Sequence, residues 1–198
     1  MKYIIPIIIL SLVLINCSKD EDEETQTAAE KAAAAQLVAL EGTWKTACYT
    51  NPDNTTSINT FIFAGNVLTI KEQEYSDTAC ATVYSLDEIP LTFSIGDAVT
   101  FANGKTGHKF TVTLGSTFKI TPQSASAVSD FNTSSECRYN KWALNTAKVC
   151  EIDEDEAGKT FYGVYQLDGN KWYAEVNDEY PDTSDVDTSD AQNSFTKQ

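Results

Sequence analysis

The chain has 198 residues, with 29 acidic against 14 basic side chains and a formal net charge of −15. So acidic a surface repels nucleic acid and anionic head groups, which excludes a nucleic-acid partner and leaves cationic, zwitterionic and neutral ones. The length is one domain's worth and is enough to bury a sizeable core.

The N-terminus addresses the compartment. Lys2 is a minimal positive region, and Tyr3 to Ile15 is apolar, short for a membrane span and interrupted by Pro6. It ends in Leu14-Ile15-Asn16-Cys17, which resembles a bacterial lipobox. That resemblance implies a signal peptide over 1–16, acylation (palmitate) of Cys17 and attachment to a membrane of the cell envelope. Asn16 stands where a lipobox usually has Gly, Ala or Ser. Ser18, next to the lipidated cysteine, permits passage to the outer membrane if the enterobacterial sorting rule applies. Residues 17–27 form an acidic tether, with Asp20 to Glu24 a run of charge that stays solvated.

Removing Cys17 leaves four of the five cysteines, an even number in an exported protein. Three pairings are open, and the sequential one is expected: Cys48–Cys80 and Cys137–Cys150. No Cys-x-x-Cys occurs, so neither a zinc ribbon nor a thioredoxin-type site is supported.

Thr27-Ala28-Ala29-Glu30 fits a capping box and opens a helix over 28–40. From Gly42 the apolar period changes to two. Strands are expected over 43–49, 57–64, 67–75, 80–86, 89–95, 99–101, 109–114 and 117–121. Trp44 and Cys48 are an even offset apart and share a face of the first strand. Phe61 and Phe63 share a face, as do Leu68, Ile70 and Glu72, and as do Phe110, Val112 and Leu114. Pro90 should sit at a strand start or edge. Turns fall at 51–54, Gly65-Asn66, Asn103-Gly104 and Gly115-Ser116. Alternation lapses near 123–146, which reads as helical turns and loop. A hairpin follows, 159–167 with 171–176, and 195–198 reads as a short closing strand. The pattern predicts a mainly β domain over 28–198, an antiparallel sandwich or barrel.

Gly42-x-Trp44 after a short helix resembles the lipocalin signature. The longer spacing, Trp44-x-x-x-Cys48 with Tyr75-x-Asp77-x-x-Cys80, resembles a wider lipocalin-like group of bacterial lipoproteins. It is also similar to the ectodomain of the adenomatosis polyposis coli down-regulated family. The resemblance implies a single up-and-down β-barrel with a cavity for a small hydrophobic or amphipathic ligand. Lipocalins carry a Thr-Asp-Tyr segment and a late arginine stacked on the tryptophan. Here Asp178-Glu179-Tyr180 is a faint counterpart, and the only arginine, Arg138, lies outside the final strands. Lys197 takes the arginine's place over Trp44 in this reading. Phe61, Phe63, Phe110, Tyr165 and Trp172 are the candidate ligand-lining residues, with a filled core as the other reading of the same aromatics.

Chemistry has little to work with. His108 is the only histidine and reads as a surface strand position. Gly104-Lys105-Thr106 lacks the earlier glycine of a phosphate loop. Asp153 to Gly158 lacks the twelfth-position Glu of a calcium loop, and Asp182, Asp185, Asp187 and Asp190 read as solvated. No enzyme activity, metal or cofactor is expected. The expected function is non-covalent ligand binding by an envelope lipoprotein. The alternative is a filled barrel that engages a protein partner.

Overall fold

A computed structural model of the chain describes residues 27–51, 54–181 and 194–198. The signal peptide, Cys17, nearly all of the tether and the acidic stretch 182–193 lie outside the described residues, as do the two central residues of the 51–54 turn.

The capping box forms. Thr27 Oγ1 accepts from Glu30 N, Glu30 Oε2 accepts from Thr27 N at 2.6 Å, and helix α1 runs Ala28–Leu40. The chain then enters β1 (Gly42–Lys45) through Gly42 at φ +114, a conformation that disfavours a side chain. Ten strands follow: β2 (Tyr49–Thr50), β3 (Thr56–Ala64), β4 (Val67–Tyr75), β5 (Val83–Thr100), β6 (Thr106–Leu114), β7 (Thr117–Pro122), β8 (Lys148–Glu151), β9 (Thr160–Asp168), β10 (Lys171–Asn177) and β11 (Ser194–Lys197).

The pairing β1-β3-β4-β5-β6-β9-β10-β11 returns to β1, so eight strands close an antiparallel up-and-down barrel. Closure removes the free edges that an open sheet would leave to aggregate. Strands β2, β7 and β8 are additions at one end.

The first strand is shorter than its sequence implies. It ends at Lys45, and the chain re-pairs with β3 only at Tyr49. Thr46, not Cys48, continues the inward face after Trp44: Thr46 is buried and Cys48 is exposed. The bridge Cys48–Cys80 forms with a Cα–Cα distance of 6.0 Å, outside the barrel wall. Residues 80–101 hold one strand of 18 residues where three were expected. Its length follows from two successive partners on one edge. Residues 85–88 pair with β7, and residues from 91 onward pair with β6. Pro90 falls in the gap between those partners, so its missing N–H breaks no ladder there. A register shift between Ile95 and Ala98 absorbs Gly96.

Between β7 and β9 the chain makes its excursion: helix α2 (Ala125–Ser134), a single 3₁₀ turn (Glu136–Arg138) and β8. Ile120, Trp142 and Cys150 form its own small core, and Cys137–Cys150 clips it. That bridge closes a separation of 13 residues, worth about 3 kcal/mol in the chain-entropy picture. Replacing both cysteines by serine should therefore make opening of α2 and β8 about 3 kcal/mol easier. Amide hydrogen exchange checks this, with faster exchange in β8 and unchanged protection in β9 and β10.

The main core fills the α1 end of the barrel. Trp44, Phe61, Phe63, Phe93, Phe110, Tyr165, Trp172 and Phe195 pack there with Leu37 and Leu40 of the helix. Trp172 meets Trp44, Phe61, Phe63 and Phe195 at centroid separations of 4.5–6.4 Å. A second cluster lies on the outer face. Val164 and Tyr173, which alternate with inward Tyr165 and Trp172, are covered by Phe101 from the β5–β6 turn. Gly107 permits this approach, because a Cβ there would stand 2.0 Å from the Tyr165 carbonyl oxygen.

Candidate functional site: the mouth of the barrel

The two ends of the barrel differ. At the α1 end, the helix's last carbonyls have no partners within the helix. Trp44 Nε1 donates to Leu40 O at 2.6 Å, and Lys197 Nζ donates to Ala39 O at 3.1 Å. The same ammonium stands 5.2 Å from the Trp44 ring centroid. So Gly42, Trp44 and Lys197 join helix, first strand and last strand, and they close this end. His108 is here too, stacked on Tyr165 at 5.9 Å and half-buried, so it is not the plain surface position expected of it.

The opposite end is polar inside. Residues 59, 61 and 63 of β3 alternate inward, as do 68, 70 and 72 of β4 and 87, 89, 91 and 93 of β5. Backbone register then sets them in rows across the wall. Phe63, Leu68 and Leu91 form one row, and Phe61, Ile70 and Ile89 the next. The third row is Asn59, Glu72 and Asp87. The change from hydrocarbon to carboxylate takes one step along each strand's inner face.

Partners are scarce in that third row. Asn59 Nδ2 donates to the Tyr49 hydroxyl at 2.7 Å, but Asn59 Oδ1 is buried and accepts nothing among the described residues. Trp172 Nε1, in the aromatic floor, is the other buried polar atom without a partner among them. Neither Glu72 nor Asp87 has a hydrogen bond or ion pair among the described residues. Glu74, one step further out, accepts from Ser85 Oγ at 2.7 Å. Burial, and then the charges of Glu74, Glu72 and Glu136, push the Asp87 carboxyl from 3.8 up to about 7. Burial and Glu72 likewise push the Tyr49 phenol up to about 12.

Two clefts open at this end. The larger, of about 1010 Å³, runs from Ile89 and Leu114 in the barrel wall to the excursion and the loop after β8. Its apolar surfaces are Ile89, Leu114, Phe118, Val149 and Ile152. Its rim is acidic: Glu136, Glu151, Asp153, Glu154 and Glu156, against one cation, Arg138. The smaller, about 340 Å³, lies beside Glu74, Tyr75 and Tyr84. Glu136 lines the larger cleft and its charge is among those that raise the Asp87 carboxyl, while Asn59, Glu72 and Asp87 themselves line neither cleft.

The five aromatics singled out from the sequence, Phe61, Phe63, Phe110, Tyr165 and Trp172, all point inward and pack on one another in the floor. None of them lines either cleft. The residues that do line the larger cleft come largely from the β7–β8 excursion, whose placement over the mouth no periodicity announced. Among the described residues no group of three His, Cys, Asp or Glu side chains is placed to hold a metal ion. No helix among them is long and apolar enough to cross a membrane. No protein-family model matches the chain, and no curated protein matches it.

Proposed function

We propose that this chain is an envelope lipoprotein that holds a small amphipathic molecule at the open end of its barrel. The lipidated Cys17 tethers it to the membrane, probing distance being set by the acidic segment. The observation that carries the binding reading is the cleft of about 1010 Å³ with an apolar floor at Ile89, Leu114 and Phe118 and a charged rim. Ligand sites are concave, apolar in the main and furnished with a few polar groups, and this one has that make-up. The packed aromatic floor moves the expected ligand outward, to the mouth. The filled floor also favours the second reading, a structural lipoprotein that presents its surface to a protein partner. No catalytic step is assigned to either.

Solvent extraction separates the two. Full-length protein purified from its native envelope is extracted with organic solvent, and the extract is analysed by mass spectrometry. The carrier reading predicts one small molecule in roughly stoichiometric amount beyond the anchor's own acyl chains. An extract holding only anchor and bulk lipid supports the interaction protein.

A further inference from the structure

From the open edge of β8 we infer that the ligand is a short basic peptide, bound in extended form as an added strand beside Val149 and Glu151. This rests on the carrier reading above and specifies its ligand.

Strand β8 pairs with β7 alone. Two hydrogen bonds show which of its edges is taken. Ile152, just past the strand, donates its N–H to Ser116 O at 2.9 Å, on the β7 side. Backbone groups alternate between the two edges of a strand, so Lys148 and Cys150 also face β7, and Val149 and Glu151 face away. The Tyr139 hydroxyl reaches Val149 O from that far side at 2.9 Å. Val149 N–H, Glu151 N–H and Glu151 C=O then have no partner among the described residues. An extended chain supplies what such an edge lacks. One of its residues, opposite Glu151, both gives and takes a backbone bond, and the residue two along accepts from Val149 N–H.

The cleft decides the chemistry of that chain. Val149 and Glu151 are among its lining residues, so the open edge runs along its wall. Side chains of an added strand alternate between the two faces of the sheet. One set shares the face of Cys150 and its register partner Phe118, toward the apolar wall of Ile89 and Leu114, and is apolar. The other set stands beside Glu151 and is basic, since opposite charges across a strand pair attract. The rim as a whole has five acids against Arg138, and Glu136, Asp153 and Glu154 form no ion pair among the described residues. A second copy of this chain, or its own run Asp20 to Glu24, brings the same sign of charge and is repelled.

The test uses the full chain in zwitterionic-lipid nanodiscs, titrated calorimetrically against empty discs at pH 7 and physiological salt. The probes are a hexapeptide of alternating lysine and valine, capped at both ends, its glutamate-for-lysine counterpart, and 1-octanol. Two further forms of the lysine peptide are N-methylated, one at its lysines only and one at its valines only. The lysine peptide should bind about tenfold or more tighter than the glutamate peptide. Methylation at the lysines, whose amides face β8, should cost about tenfold or more, and methylation at the valines, whose amides face away, should cost little. The bound peptide should also slow hydrogen exchange of the Val149 and Glu151 amides. Equal loss from both methylated forms, or loss from neither, overturns strand addition, and equal binding of lysine and glutamate peptides overturns the basic ligand. Binding of 1-octanol without binding of the lysine peptide overturns this inference and leaves the carrier reading standing. Failure of every probe overturns both.

Discussion

Replacing Trp44 by alanine is expected to lower the unfolding free energy by about 5 kcal/mol, at the upper end for a buried aromatic. Three losses coincide. The indole is 1 % exposed and packs on Trp172 at 6.4 Å, so its removal leaves a void beside the largest ring of the floor. Its Nε1 is a partner of the Leu40 carbonyl at 2.6 Å, which the variant strands at a buried helix end. The Lys197 ammonium loses the ring beneath it and keeps only the Ala39 carbonyl. Helix α1 should consequently detach first. Urea unfolding followed by far-ultraviolet circular dichroism checks the magnitude, and a loss below about 1 kcal/mol would mean that the indole is not the plug of this barrel. Trp44→Phe should recover much of the packing and none of the hydrogen bond to Leu40.

Replacing Asp87 by asparagine is expected to stabilise the protein, by roughly 4 kcal/mol at pH 8 and by little at pH 4. The carboxyl titrates near 7 when folded and near 3.8 when free. Between those values the folded chain holds the proton that the unfolded chain has released. Stability from this group therefore falls as pH rises from about 4 to about 7, and the charged form costs most above that. Asparagine keeps the shape and cannot ionise. It thus removes a penalty whose largest part is desolvation and whose remainder is repulsion from Glu74, Glu72 and Glu136. Chemical denaturation of both proteins across pH 4–8 gives the comparison. Two parallel stability curves would show that the Asp87 carboxyl is solvated.

Much of this fold was legible in the chain. The two-residue alternation of Phe61 with Phe63 and of Leu68 with Ile70 is the wall of the barrel, and Thr27 with Glu30 is the cap of its helix. The inward face of Glu72 was also visible from its spacing to Leu68 and Ile70. Its meaning was not, because Asn59 and Asp87 reach it only through strand register, which is a property of three segments together. The sequence predicts three strands over 80–101, with Pro90 at a strand start or edge; Gly96, between the second and third, also weakens a strand interior. A change of neighbour accommodates Pro90 and a register shift Gly96, and neither is written locally. The end of β1 at Lys45 is similar: alternation runs on through Cys48, yet the bridge to Cys80 takes that sulfur outside the wall. Strand β8 has four residues and one buried side chain, too little for a period to register. The cleft depends on that strand and on the loop after it, so its lining could not be composed from sequence.

On the proposed carrier reading, a small amphiphile sits at the open end of the barrel rather than in the aromatic floor. Amide chemical-shift mapping of the isotope-labelled protein during titration with 1-octanol tests this placement. Saturable shifts are expected at Ile89, Leu114, Phe118 and Val149, with Trp44 and Phe195 unmoved. Shifts confined to the α1 end, or to the outer face around Phe101 and Tyr173, would contradict it.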